Sequence, residues 1–299
     1  MNLANNWLYL ALIAPLLWAL VVLIDDNLLR KVYRSPSFGA MVAGLFGIFP
    51  FIYFSITNES YTLPTKVMAA AIASGVLTIV FYYCYFKALS SEEPSTTVAL
   101  LSLMPVFVVI LAAVFLHESL LTKQYVGIGV IVLSSTYLGL MEARKLKFND
   151  AIGYVLAGSV VGAIASILAK FAYDQATFKT VFPWISFGFF VTGAAIYIFG
   201  HSAEAKRLAK KTGIALVLVM LTIELLNFGA EFTQGLAISR GPVSIIRAIE
   251  GIQPLYMLLF AIVLGPFLRS FFREQIDQKF PKKVLAMLIM IGGLYLIAS

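Results

Sequence analysis

Charged residues and cysteines are both scarce in this chain of 299 residues. Asp, Glu, Lys and Arg together make up 12% of it, and Cys84 is its one cysteine. Soluble domains are on average about a quarter charged, so the composition argues against a water-soluble fold. With a single cysteine, neither a disulfide framework nor a cysteine-based zinc site can form.

Signatures of common enzymes and of nucleotide-driven pumps are also missing. There is no P-loop and no Gly-x-Ser-x-Gly sequence, and His117-Glu118 lacks the second histidine of a zinc protease. Gly127 and Gly129 lie in an apolar run without a preceding strand, so they form no dinucleotide-binding fingerprint. We therefore expect a protein that is not an enzyme, with no catalytic residues, no cofactor and no bound metal.

Apolar sequence is what the chain has in abundance, with 61% hydrophobic residues and a mean hydropathy of +0.92. Its long apolar runs suit membrane helices, whereas barrel strands would show shorter stretches of alternating polarity. We predict an all-α integral membrane protein with ten transmembrane helices, the first being a retained span rather than a signal peptide. The predicted spans are residues 7–24, 38–57, 67–89, 94–116, 124–141, 152–172, 181–200, 213–238, 242–264 and 284–298.

The basic residues are distributed unevenly between the two sets of loops. Sixteen of the 22 Lys and Arg residues follow the odd-numbered predicted helices. The other six are Lys66, Lys123, Lys179 and Arg240 in the opposite loops, and Lys170 and Arg247 within helices. Since Lys and Arg favour the cytoplasmic side, we expect both termini outside, in the plasma (inner) membrane of a prokaryote. This bias also explains the net charge of +7 without nucleic acid as a partner.

The loop at residues 265–283 has a pattern of its own. Phenylalanines, Leu268 and Ile276 recur there at helical spacing, with charged residues on the other face. The pattern fits a short interfacial helix over residues 267–280, on an anionic leaflet. An ordinary polar loop with a few apolar anchors fits equally well.

An internal repeat relates the two halves of the chain. Ala-Leu-Ser at 88–90 and Pro105 correspond to Ala-Ile-Ser at 237–239 and Pro254, both at a spacing of 149 residues. Five helices is an odd number, so a second copy must be inserted upside down. Inverted repeats of this kind are typical of secondary transporters, with the substrate site at the repeat interface. We predict one repeat over residues 1–148 and the other over residues 149–299.

At these residues the chain resembles the EamA-type branch of the drug/metabolite transporter superfamily. The resemblance rests on Trp18, residues 85–92, Pro94, Pro105, the Phe-Leu-His-Glu sequence at 115–118, and Gly127. They look like the family's first-helix tryptophan and its hairpin of helices 3 and 4 with a Leu-x-Glu ending. The resemblance covers nearly the whole chain. It implies two inverted five-helix repeats around a central cavity lined by helices 1, 3, 4, 6, 8 and 9.

The chain departs from the family pattern in several places. Where the family commonly has a lysine, eight residues after Trp18, this chain has Asp26. The lysine is present in the second half as Lys170, and the second half lacks the Leu-x-Glu ending, with Gly265-Pro266 instead. Family members are usually drawn with cytoplasmic termini, which is opposite to the orientation that the basic residues indicate.

Ionisable residues concentrate in the predicted eighth and ninth helices, as Glu224, Glu231, Arg247 and Glu250. Counting about 1.5 Å per residue from the turn near Arg240 places Glu231, Arg247 and Glu250 at similar depths near the midplane. Buried charges in a membrane cost several kcal/mol and usually mark function or a structural ion pair, and both readings are open here. Because the acids outnumber the arginine, at least one must bind a proton or a cation.

Further candidates come from the repeat and from polar residues in apolar runs. We predict that these residues bind substrate or couple protons, together with the four ionisable ones: Trp18, Tyr82, Tyr85, Lys170 and Asn227. Tyr82 is the repeat equivalent of Glu231. Aromatic side chains could accept a cation or an aromatic ring, with helix packing as the alternative. Asp25 and Asp26 are either a gate or a solvated helix end.

We therefore expect a secondary transporter for a small polar or amphipathic metabolite, amino-acid-like or amine-bearing. It would work by alternating access, driven by protons or by exchange. A lipid-headgroup or drug flippase of the same fold is one alternative, and a membrane scaffold without transport is another. The expected partners are the small-molecule substrate and membrane lipids, and the pattern predicts no oligomeric state.

Accessibility labelling tests the orientation. A cysteine introduced as Leu3→Cys or Ser299→Cys, with Cys84→Ser in the background, should react with a membrane-impermeant maleimide on intact cells. The reason is that the positive-inside rule puts both ends outside. Reaction only after permeabilisation would reverse the orientation and leave the helix assignment intact.

Overall fold

A computed structural model describes residues 7–31, 35–57, 62–91, 94–142, 150–201, 214–264 and 280–298. These residues are almost entirely helical and contain no strand. The predicted interfacial helix at residues 267–280 lies outside the described residues except for Phe280, and so do both ends of the chain.

Thirteen α-helices are described, and a short π-helix, Tyr197–His201, follows the ninth. They are α1 (Trp7–Lys31), α2 (Pro36–Phe46), α3 (Ile48–Thr57), α4 (Thr65–Leu89), α5 (Pro94–Leu101), α6 (Met104–Phe115), α7 (Thr122–Glu142), α8 (Asp150–Gln175), α9 (Phe178–Ile196), α10 (Ile214–Ile238), α11 (Val243–Glu250), α12 (Gln253–Leu264) and α13 (Phe280–Ala298).

Eight helical segments of the described residues are long and apolar enough to cross a membrane. They are Trp7–Asp25, Pro36–Thr57, Thr65–Leu89, Ile152–Gln175, Phe178–Gly200, Val217–Ile238, Val243–Phe260 and Phe280–Ala298. Large apolar side chains such as Leu133 and Leu225 are exposed on the outer faces, as lipid contact requires. The predicted all-helical, multi-pass membrane protein is confirmed. The predicted spans 94–116 and 124–141 are helical but are not among the eight.

Three predicted spans are broken, which corrects the expectation of continuous helices. The span 94–116 divides into α5 and α6 at Ser102-Leu103, and the span 242–264 divides into α11 and α12 at Gly251-Ile252. Pro105 and Pro254 lie just after these breaks. A proline has no N–H for the carbonyl four residues earlier, and its ring collides with that carbonyl. A similar break at Gly47 separates α2 from α3.

Three consecutive helices occur twice with the same lengths and separations. The bounds of α4, α5 and α6 recur 149 residues later as the bounds of α10, α11 and α12. The short sequence matches indicated a spacing of 149 residues. The same spacing relates whole helices, and it also relates the break between α5 and α6 to the break between α11 and α12.

Glycines allow several helices to touch backbone to backbone. A Cβ added to Gly75 would lie 2.0 Å from the carbonyl oxygen of Ile185 and 2.9 Å from the Cα of Gly188. The same kind of contact joins α2 to α9 and α7 to α13, through the pairs Gly44–Gly193 and Gly127–Gly293. Small residues at such crossings are the usual basis of helix association in membranes.

Adding one methyl group should separate helices that meet at a glycine. We expect Gly75→Ala to lower the free energy of unfolding by about 1–3 kcal/mol, because the new Cβ overlaps the backbone of α9. Gly129→Ala in α7 is the matched control, since a Cβ there meets nothing within 4 Å. Thermal unfolding in detergent measures both variants, and equal stability for the two would contradict the close contact between α4 and α9.

Candidate functional site

A cavity of about 100 Å³ lies between α1, α4, α5, α10 and α11. Nine of the predicted site residues line it: Trp18, Asp25, Tyr82, Tyr85, Glu224, Asn227, Glu231, Arg247 and Glu250. Much of the remaining lining is apolar, including Val21 and Val98. Whether these residues bind a substrate stays a prediction.

A hydrogen-bonded chain crosses the cavity from α1 to α4 through α10. Trp18 Nε1 donates to Asn227 Oδ1 at 2.9 Å, and the Tyr82 hydroxyl lies 3.2 Å from the same oxygen. The Tyr82 hydroxyl also donates to Glu231 Oε1 at 2.5 Å. Four side chains from three helices are thereby fixed relative to one another in the middle of apolar spans.

Arg247 and Glu250 form an ion pair one helical turn apart on α11. Arg247 Nη1 contacts both carboxylate oxygens of Glu250, at 3.0 and 3.1 Å, and each side chain is 13% exposed. Gln234 on α10 also donates to Glu250. The Nε of Arg247 is buried and has no hydrogen-bond partner among the described residues. The pairing of Arg247 therefore takes place within α11, and Glu231 hydrogen-bonds to Tyr82 instead.

Asp25 and Glu224 lie at another part of the cavity wall. Asp25 Oδ2 accepts a hydrogen bond from the Tyr85 hydroxyl at 3.2 Å. Asp25 is 4% exposed and Glu224 7%, and the two carboxyl groups are close enough to interact electrostatically. The solvated helix end that the sequence left open is therefore wrong for Asp25, because this side chain is buried six residues before α1 ends at Lys31. The side chain of Asp26 lies outside the described residues.

Lys170 does not line the cavity, and its role in substrate binding or proton coupling stays a prediction. Its Nζ contacts Asp174 at 2.8 Å and donates to the carbonyl oxygen of Ile238 at 3.3 Å. Ile238 ends α10, where carbonyl groups lack intrahelical partners and a cation is favourable. The position of Lys170 near the end of α8 therefore gives it a contact with a helix terminus.

Sequence reasoning missed several residues around the cavity. Gln234 is a polar residue in an apolar helix, three positions after Glu231, and this spacing could have identified it. Ser102 and Gly251 belong to the two helix breaks and both line the cavity. A Cβ added to Gly251 would lie 3.8 Å from the Cβ of Ser102, so the breaks face each other. The prolines that follow each break were the available signal.

Comparisons with known proteins agree with this architecture. Residues 5–140 match the EamA-like transporter family, which confirms over that stretch the resemblance seen in the sequence. A solved structure titled only "Crystal structure of protein" superposes with a TM-score of 0.66 and 15% identity. The alignment covers 98% of this chain and 95% of that chain, so the two share a fold. No curated protein matches the sequence.

A double-mutant cycle tests the pairing of Arg247 with Glu250. Arg247→Met or Glu250→Gln alone should cost about 3–5 kcal/mol, because each leaves an uncompensated charge away from water. The double variant should cost clearly less than the two single changes together. Unfolding in detergent gives all three free-energy changes. If the loss in the double variant equals the sum of the two single losses, Glu250 is not the partner that stabilises Arg247.

Proposed function

We propose that this protein is a secondary transporter that moves a small amine-bearing or amino-acid-like metabolite across the membrane by alternating access. The observation that carries the proposal is the cavity in the middle of the apolar helices, with acids, an arginine and aromatic side chains on its wall. Ionisable groups at this depth are costly and usually mark the path of a substrate or a proton.

Two inverted five-helix repeats, residues 1–148 and 149–299, form the proposed architecture. The equal spacing of α4–α6 and α10–α12 supports it. Two contacts support it further: Tyr82 hydrogen-bonds to Glu231, and Ser102 faces Gly251, and the members of each pair are 149 residues apart. Equivalent residues of a two-fold arrangement can touch only beside the axis. A pseudo-two-fold axis would then run past both contacts and through the cavity.

The helix breaks also suit transport. Discontinuous helices in transporters direct the free backbone groups of half-helices towards the substrate. Here the breaks at Ser102 and Gly251 border the cavity, and α6 and α12 begin beside it with Met104 and Gln253.

The charges on the cavity wall favour a substrate with a positive group. In the described part of the chain, Asp25, Glu224 and Glu231 form hydrogen bonds with neutral side chains, those of Tyr85, Asn227 and Tyr82 respectively. Arg247, the one Lys or Arg residue on the described cavity wall, is already paired with Glu250. An ammonium group would balance the excess acids, and the aromatic rings can contribute cation–π attraction. The same carboxylates can bind protons, so exchange with protons is the proposed coupling.

A second observation favours an amphipathic substrate, as a drug or lipid-headgroup flippase would have. A smaller recess of about 20 Å³ adjoins the cavity and shares Tyr82, Glu224, Asn227 and Glu231 with it. Its other walls are mostly apolar, with Phe46, Phe182, Phe189 and Phe228. An amine in the cavity could therefore place an apolar group in this recess.

A set of probes that share a phenyl ring and differ in charge tests the substrate class. The set is phenethylamine, phenylalanine, 3-phenylpropionate and 2-phenylethanol, each measured by ligand-dependent thermal stabilisation of the purified protein. We expect phenethylamine to stabilise most and 3-phenylpropionate least. Tightest binding of 3-phenylpropionate would overturn the preference for a positive group.

Glu231→Gln should weaken amine binding about tenfold or more, because a hydrogen bond to a charged group is lost. Asp174→Asn removes an acid outside the cavity and serves as the control. Uptake of the binding amine into vesicles with an imposed pH gradient then tests transport. Binding without uptake in either direction would point to a scaffold.

A further inference from the structure

Glu118 makes a contact that neither the cavity nor the ion pair accounts for. Its carboxylate accepts hydrogen bonds from the backbone N–H groups of Val243 at 3.0 Å and Ser244 at 3.1 Å. These are the first two residues of α11, and their N–H groups have no acceptor within the helix. A carboxylate at this position satisfies both donors and also interacts favourably with the helix dipole. The contact joins the turn after α6 to a helix of the other half of the chain.

The backbone beside Glu118 is strained. His117 has φ of 53°, the one positive φ at a non-glycine residue in the described part of the chain. This left-handed conformation is unfavourable for a residue with a Cβ, and such strain concentrates at functional positions. It accompanies a hydrogen bond from the Glu118 N–H back to the Ala112 carbonyl at 3.1 Å. Interactions of the turn must offset the strain, and the contact with α11 is one of them.

The first turn of α11 is buried and lies beyond the cavity lining. Val243, Ser244, Ile245 and Ile246 are each 2% exposed or less, and none of them lines the cavity. Trp7 of α1 packs against the turn just before α11, since a Cβ added to Gly241 would lie 2.6 Å from its ring. The cavity wall on α11 begins only at Arg247. Glu118 therefore holds the near end of the helix whose far end carries the ion pair.

The equivalent position in the second half cannot make this contact. The residue 149 positions after Glu118 is Phe267, preceded by Gly265-Pro266. A phenylalanine side chain accepts no hydrogen bond from a backbone N–H group. The repeat therefore does not carry a second carboxylate at the position equivalent to Glu118.

We propose that Glu118 is a positioning residue of the transport cycle. Its carboxylate clamps the first turn of α11, keeps the cavity shut at this end, and must release α11 before the cavity opens there. Because the equivalent position in the second half holds Phe267 instead of a carboxylate, the clamp favours the conformation that is closed at the Glu118 end. The inference rests on the alternating access of the proposed function.

Cysteine accessibility in reconstituted vesicles tests the clamp. The reporter is Ala43→Cys on the cavity wall, in a Cys84→Ala background, reacted with an impermeant maleimide from either side. Lys123→Cys, close in sequence to Glu118, and Ser91→Cys, in the turn between α4 and α5, identify the two sides. We expect Glu118→Gln to raise labelling of the reporter from the Lys123 side about tenfold, while the rate at Lys123→Cys itself stays unchanged.

Gln124→Ala is the matched control. The Gln124 side chain accepts a hydrogen bond from the Leu121 N–H at 3.0 Å, so it caps the start of α7 without joining the two halves. Removing this cap should leave reporter labelling as in the wild type. His117→Gly relieves the backbone strain and keeps the carboxylate, and it should also leave the cavity closed at this end. If Glu118→Gln does not fold, Glu118→Asp keeps the charge, shortens the reach, and should open the same end.

Three outcomes would overturn the clamp. The first applies when the reporter in the wild-type protein reacts from both sides: Glu118→Gln then leaves its labelling from the Lys123 side unchanged. Another is equal opening by Gln124→Ala, and the third is equal opening by His117→Gly. A wild-type reporter that reacts from one side under every condition, in a protein without uptake, would refute alternating access itself. The two failures are therefore distinguishable.

Discussion

Polar groups far from water must find partners inside the protein, and the rest of this structure depends on that constraint. Asp25 accepts a hydrogen bond from Tyr85, and Glu231 accepts one from Tyr82. Arg247 forms an ion pair with Glu250. The two hydrogen bonds join different helices, α1 to α4 and α10 to α4. The need to satisfy each group therefore draws α1, α4 and α10 around one space and gives part of its wall a polar lining. Apolar packing alone would have closed it.

The sequence predicts the parts of the fold that depend on local properties. The length of an apolar run fixes a span, so the predicted 67–89 and 213–238 differ little from α4 (Thr65–Leu89) and α10 (Ile214–Ile238). Nine of the eleven site residues suggested by the sequence also line the cavity. An ionisable side chain in an apolar run avoids lipid and faces the interior, whatever the details of packing.

Features that depend on tertiary neighbours escaped prediction. Pro15 and Pro183 lie inside the continuous helices α1 and α9, whereas Pro105 and Pro254 follow breaks. The same residue type gives either result, because the outcome depends on which nearby groups satisfy the freed carbonyls. The contacts of Lys170 could not be predicted for a similar reason. Its partners are Asp174 and the end of α10, and they depend on how α8 and α10 pack together.

The close contacts at glycines group the helices into sets that move together. Gly188 and Gly193 of α9 seat against Gly75 of α4 and Gly44 of α2, so three helices are locked backbone to backbone. Gly127 and Gly293 lock α7 to α13 in the same way. Backbone has no rotamers with which to absorb a displacement, so each set must travel as a rigid body. Any large motion of this protein is then confined to hinges and sliding surfaces between these bodies, where side chains rather than backbones meet.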